Sequence, residues 1–179
     1  LAAGRDFEVC NPEDDPRFRS YWETYAKLMG REGFTPEAAK AAVRRSNTLI
    51  AALMLRRGEA DGMLCGLVGR YQGKPKRVVE VIGRDPGVQS LSALSVVISD
   101  KGPFFFVDTH VQYDPTAEQI AESALQAAYR LRLFGITPKI ALISHSNFGS
   151  HETASAQKMR KVRELVLAKQ PRIEIEGEM

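Results

Sequence analysis

Cysteine and histidine are scarce in this chain: Cys10 and Cys65, and His110, His145 and His151, in 179 residues. In a soluble intracellular α/β protein two such thiols are not expected to form a structural disulfide. Each falls on an apolar, strand-like segment, so both are expected to be buried, reduced and unlinked. The histidines lack the paired His, Cys or Asp spacing of a metal site, and no metal is assigned. Long apolar runs are missing too, which excludes a helical membrane span. Neither sign of charge dominates, since 25 Lys and Arg against 22 Asp and Glu leave +3. That excess is too small to argue for nucleic acid. The opening LAAGRDFEVC has no secretory signal pattern, so a cytoplasmic location is expected. What is present is 44% hydrophobic residues, enough to bury a core in one domain or two small lobes. Both ends read as strands with no closing element, so the chain is expected to be a fragment lacking both ends of a fuller domain.

The order of signals predicts an α/β protein. Phe7 to Cys10 reads as a strand, and an acidic turn ending in Pro16 starts a helix from about Arg17 to Met29. Its Phe18, Tyr21, Trp22, Tyr25 and Leu28 recur at three and four, the stripe of a core face rather than a stacking platform. Thr35-Pro36 opens a helix to Arg44, and Ser46 or Asn47 caps another that buries Leu49, Ile50, Leu53 and Met54 before Gly58. Asp61 to Val68 reads as a strand. A basic run follows with Arg70, Lys74, Lys76, Arg77 and Arg84, either a solvated face or a ligand site at a strand end. Gly83 to Gly87 marks a boundary, giving lobes 1–86 and 87–179. Leu94 to Ile98 and Phe104 to Val107 make a hairpin, so the parallel-rich sheet is partly mixed. Thr116 and Gln119 form a capping box for a helix whose apolar face includes Ala121, Ala124 and Ala128. A last helix from about Ala154 to Ala168 and a strand from Ile173 to Glu176 complete a crossover.

The stretch from Lys139 to Lys158 carries the most chemistry. Ile140 to Ile143 is a short apolar run, expected to be a strand buried on both faces. Ser144-His-Ser-Asn-Phe-Gly-Ser150 then lies between a strand's carboxyl end and a helix's amino end, where backbone N–H groups can hold a phosphate or carboxylate. The plainer alternative is an ordinary strand-to-helix turn, whose chemistry is the same. No Walker or dinucleotide spacing accompanies it.

Four ordered segments, Ala60-Asp-Gly-Met-Leu-Cys-Gly66, Asp114-Pro-Thr-Ala-Glu-Gln-Ile-Ala121, Phe134 to Ser144 and Ser144 to Ser150, resemble the phosphate acetyl/butyryl transferase family across nearly the whole chain. Within it the SHSNFGS form, Ser155 to Met159 and Glu176-Gly-Glu-Met179 look most like the phosphotransacetylase-like domain of bacterial NADP-dependent malic enzymes. The resemblance implies two α/β lobes, helices flanking their sheets, and a cleft between lobes for coenzyme A and acyl phosphate. It implies Arg70, Lys76, Arg77, Ser144, Ser146, Asn147, Gly149 and Ser150 as residues for acetyl-CoA or phosphate, and no catalytic residue. The Ser-Arg pair and nearby Asp of active members belong to a carboxyl-terminal segment that this chain does not reach, so none of them is assigned here. Their His-Ser-Thr run aligns with Gly69-Arg70-Tyr71, and the Lys of their second loop aligns with Phe148.

The reading implied is a regulatory domain that binds acetyl-CoA or coenzyme A as a small-molecule effector and has no cofactor of its own. NADP and a divalent metal would act only in the remainder of a malic enzyme polypeptide outside this segment. A homo-oligomer is expected, with no nucleic acid or membrane partner. The alternatives are a working phosphate acetyltransferase and a structural oligomerisation domain.

Overall fold

Side-chain caps and apolar stripes set the helices at the start of the chain. The computed structural model describes residues 1–66 and 69–179 and divides into two compact units, Leu1–Asp85 and Pro86–Met179. In the first unit, α1 (Phe18–Met29) begins after Asp15, whose Oδ1 accepts the backbone N–H of Arg17 at 2.8 Å. Phe18, Tyr21, Tyr25 and Met29 are buried, and Trp22 and Leu28 pack half-buried against the same core. A 3-10 turn, Gly30–Glu32, leads to α2 (Pro36–Arg44), capped by the Thr35 hydroxyl accepting from Ala38 N at 3.2 Å. The Ser46 hydroxyl caps α3 (Asn47–Arg56) by accepting from Leu49 N, also at 3.2 Å. Such caps contribute about 1 kcal/mol each.

The fourth helix, α4 (Gly73–Ile82), is one that pattern reading passed over as a charge run. Its GKPKR opening hides it. Pro75 is tolerated because first-turn N–H groups have no helical acceptor anyway. Val81 of α4 joins Tyr21, Tyr25, Val43, Leu49 and Leu53 in the core. Each large side chain fully buried there stabilises the unit by roughly 1.5–3 kcal/mol. Both core tyrosines keep their hydroxyls bonded: Tyr21 donates to Glu59 at 2.5 Å and Tyr25 to Glu80 at 2.8 Å.

Two expected strands are absent from this unit. Phe7 makes only an isolated bridge with Ala3, and Glu8 to Cys10 are irregular. Asp61 to Gly66 have no regular structure, while Leu67 and Val68 of that expected strand lie outside the described residues. An apolar run becomes a strand only when another pairs with it, and among the described residues nothing pairs with this one, so Leu64 is fully exposed. The thiols follow suit. Both are free, as expected, but Cys10 is only half-buried and Cys65 is exposed. Burial, helped by Asp15, pushes the Cys10 thiol up to about 11.

The second unit holds two short ladders. β1 (Ser95–Ser99) and β2 (Gly102–Phe106) form the antiparallel hairpin, with Val97 opposite Phe104. The capping box is present: Thr116 accepts from Gln119 N and Gln119 accepts from Thr116 N, starting α5 (Ala117–Leu133). β3 (Lys139–Leu142), α6 (Ala154–Lys169) and β4 (Glu174–Gly177) make the crossover, with Ile140 opposite Ile175 in a parallel ladder. Small Ala121, Ala124 and Ala128 on α5 join Val162 and Val166 of α6 with Leu142 and Ile175 in one core. Burial of β3 on both faces does not hold. Leu142 is buried and Ile140 half-buried on the helix side, whereas Ala141 is exposed and Ile143, past the strand, is 66% exposed. A two-stranded sheet covered by helices on one face leaves the alternate residues in solvent. Among the described residues, no helix is long and apolar enough to cross a membrane.

Two outcomes are expected. Replacing Gly177 with Ala would place Cβ 2.6 Å from the Leu142 carbonyl oxygen at a φ of +124°, so G177A should lose on the order of 2–4 kcal/mol in urea unfolding. An unchanged midpoint would contradict the β3–β4 junction. With dithionitrobenzoate at pH 8, exposed Cys65 should react roughly tenfold faster than Cys10. Equal rates would contradict the burial and raised pKa of Cys10.

Candidate functional site

Ser144 to Ser150 occupy the turn between β3 and α6, and nearly all of their backbone donors are engaged internally. Ser144 N donates to Met179 O at 2.6 Å and Phe148 N to Glu178 O at 3.1 Å. Asn147 N donates to the Ser150 hydroxyl at 2.9 Å, and Ser146 N to the Ser144 hydroxyl at 2.9 Å. An anion is held at this loop, and it is the chain's own. Glu178 Oε1 accepts from the Ser146 hydroxyl and from Gly149 N, each at 2.8 Å. Its other oxygen, Oε2, is buried without a hydrogen bond and lies 3.3 Å from Arg160 Nε. The Ser146 hydrogen bond does most to hold this carboxyl below its ordinary pKa. Burial opposes that, and Gly149 N–H and the Arg160 charge assist. Ser146 in turn accepts from His151 N at 3.1 Å, just ahead of the Thr153 cap of α6.

Of the residues expected here, Ser146 is 2% exposed and committed to Glu178, while Asn147, Gly149 and Ser150 are exposed. Ser144 donates to Ser146 O. Phe148 is 63% exposed with a φ of +49°, a left-handed conformation that costs a non-glycine residue about 1–2 kcal/mol. The turn chemistry and the anion-holding chemistry, which pattern reading left as alternatives, here coincide.

A different arrangement appears in the first unit. An open cavity of about 630 Å³ lies where the end of α2, the start of α3 and the start of α4 meet. Arg45, Arg70, Lys74 and Arg77 line it, with no acidic residue among the lining groups. Arg77 Nη1 donates to Tyr25 Oη at 3.0 Å and to Glu80 Oε2 at 2.9 Å, which fixes its guanidinium and raises its pKa, chiefly through Glu80. Burial, with Glu80 adding to it, pushes the Tyr25 hydroxyl up to about 12, so it stays a donor at any physiological pH. Lys74 Nζ donates to Gly69 O at 3.3 Å. Arg70 and Arg77 thus share one cavity, as their sequence proximity hinted. Lys76 is exposed and does not line it.

Arg45, Asn47 and Thr48 of this cavity escaped the sequence reading. Ser46 and Asn47 had registered only as cap candidates, and Arg45 is separated from Arg70 by a whole helix in sequence. The one available signal was the break between two adjacent helices at Arg45-Ser46, which leaves a helix end and a helix start side by side. Among the described residues no group of three or more His, Cys, Asp and Glu is placed to hold a metal.

The Glu178 lock gives a pH expectation. A carboxyl whose pKa is lowered on folding contributes stability that is full above its unfolded value and is lost as pH falls through the folded value. Acid should therefore weaken the wild type more than Glu178→Gln, and the gap between their urea midpoints should narrow below about pH 4. A gap independent of pH would rule out an ionised Glu178 in the loop.

Known proteins share this arrangement of elements. A phosphotransacetylase from Streptococcus pyogenes superposes with a TM-score of 0.83 at 27% identity, covering 99% of this chain and 54% of that one. The NAD-dependent malic enzyme of Rhizobium meliloti (strain 1021) is 51% identical over 174 residues, 97% of this chain and 23% of the relative. The NADP-dependent malic enzyme of Salmonella typhimurium (strain LT2) is 46% identical over 179 residues, 100% of this chain and 24% of the relative. The chain spans about a quarter of the length of these malic enzymes. With the phosphate acetyl/butaryl transferase model matching residues 1–179, the chain belongs to that family.

Proposed function

We propose that this chain is the ligand-binding, regulatory region of a cytoplasmic malic enzyme, taking acetyl-CoA or coenzyme A as effector and controlling the oxidative decarboxylation of malate to pyruvate. The observation that carries this reading is Phe148, exposed on the loop where the resemblance to active transferases places a Lys. A phenyl ring cannot offset the charge that builds on a departing phosphate. Loss of one such stabiliser costs on the order of a hundredfold or more in rate. Ground-state binding is spread over many donors and survives that loss. The cavity lined by Arg45, Arg70, Lys74 and Arg77 supplies positive charge suited to the phosphates of a coenzyme A ester.

In this reading the remainder of the malic enzyme polypeptide is the partner, and NADP and a divalent metal act there. The malic-enzyme relatives include both an NAD- and an NADP-dependent protein, and the effector coupling does not depend on which nucleotide is used. A homo-oligomer would let effector binding reach the catalytic part through subunit packing, and a coupling of ~1–3 kcal/mol suffices for a five- to hundredfold response.

Calorimetry on the intact polypeptide should find saturable acetyl-CoA binding that weakens about tenfold in Arg77→Ala. Conversion of acetyl phosphate and coenzyme A to acetyl-CoA should be slow in the same preparation. Transfer at rates typical of dedicated phosphotransacetylases would overturn the regulatory reading, and absence of acetyl-CoA binding would remove its ligand.

A further inference from the structure

Several arginines of the first unit are neutralised where they stand. Arg17 pairs with Asp15, Arg57 with Glu59 and Arg77 with Glu80. Arg45 and Arg70 are different: both line the 630 Å³ cavity, and neither side chain has a hydrogen-bond or ion-pair partner among the described residues. Between them opens the amino end of α3. Its Ser46 cap takes Leu49 N, while the N–H groups of Asn47 and Thr48 have no acceptor among the described residues. Thr48 lines the same cavity and is 8% exposed, and its hydroxyl has no partner among the described residues. Helix N–H groups, a hydroxyl and two arginines without acids are complementary to tetrahedral oxyanions, because the helix dipole and the guanidinium forks favour the same charge.

We propose that Arg45, Asn47 and Thr48, with Arg70 facing them, form a phosphate subsite contained within the first unit, and that it takes a phosphate or diphosphate group of a small organic ligand. The Ser144–Ser150 loop is no part of it, since that loop's anion position is occupied by Glu178. The proposal rests on the ligand-binding reading above for the identity of the whole ligand, whereas the subsite can be tested without it. Asn47 and Thr48 N–H supply fixed donors, the Thr48 hydroxyl completes its own hydrogen bonding, and the arginines supply charge. Lys74 and Arg77, held by Gly69 and by Glu80 with Tyr25, add to the field.

The test is calorimetry on the intact polypeptide at low ionic strength, with pyrophosphate and acetyl-CoA as separate titrants. Wild type should bind pyrophosphate saturably. Arg45→Ala should weaken it at least about tenfold, Arg45→Lys less, and Thr48→Val roughly three- to tenfold, with Thr48→Ser close to wild type. Ser150→Ala should leave it unchanged. Arg45 is exposed, so its variants stay folded, and melting curves of the Thr48 variants guard against a folding artefact. Failure of wild type to bind pyrophosphate, or equal affinity in Arg45→Ala, overturns the subsite. If pyrophosphate behaves as expected but acetyl-CoA does not bind, the subsite stands and the acetyl-CoA reading falls. If acetyl-CoA binds and is indifferent to Arg45→Ala and Thr48→Val, the reading stands and the subsite falls.

Discussion

When the Glu178 side chain turns back under the Ser144–Ser150 loop, the end of β4 becomes tied to the segment that follows β3. A carboxylate tucked under a loop needs partners for its charge, and the loop supplies one hydroxyl, one backbone N–H and the nearby Arg160 charge. The same hydroxyl, on Ser146, accepts from His151 N and so fixes where the chain turns toward α6. Strand ladder, loop and helix start are therefore one cooperative piece, and the backbone bonds from Ser144 N to Met179 O and from Met179 N to Leu142 O close it. Close packing at Gly177 against Leu142 belongs to the same junction, because only a residue without Cβ lets β4 come so near before Glu178 turns inward.

Elsewhere in the second unit the same device recurs in a milder form. Asp108 lies half-buried, which works against its charge, yet the N–H groups of Ala93, His110, Val111 and Gln112 hold it ionised below its ordinary range. Glu122 likewise takes Gln89 N, Ser90 N and the Ser90 hydroxyl. Acids in this unit thus organise irregular backbone that no ladder satisfies. The first unit uses several of its acids against arginines and tyrosines instead, and Arg45 and Arg70, which line one cavity and have no acid partner among the described residues, stand apart from those pairs.

Much of this was legible in the sequence because local rules settled it. The Thr35-Pro36 start, the Thr116–Gln119 box and the Phe18-to-Tyr25 stripe all depend on residues within a turn or two of one another. The strands fared worse for a physical reason. Whether Phe7 to Cys10 or Asp61 to Gly66 becomes a strand depends on a distant partner, and apolar composition says nothing of whether one is present. The helix α4 was obscured by a Gly and a Pro that are harmless in a first turn. At the loop, serine and glycine chemistry pointed to an anion, but its source, Glu178, is twenty-eight residues beyond Ser150 and carries no local signature. The cavity was half legible: Arg70 and Arg77 lie close in the chain, while Arg45 and Thr48 meet them only through the packing of α2, α3 and α4.

Phe148 shows why shape and chemistry can part company in such a loop. The turn is set by Phe148 N donating to Glu178 O, Gly149 N to the Glu178 carboxylate and Ser144 N to Met179 O, none of which involves the side chain at position 148. That side chain is exposed, so its identity can change without reshaping the backbone. The left-handed φ at this position strains Lys and Phe alike, and so does not select between them. A cation at such a position acts on charge that develops during reaction more than on ground-state binding. The loop is tied by Glu178, and the positive cavity of the first unit is built separately from it, by Arg45, Arg70, Lys74 and Arg77.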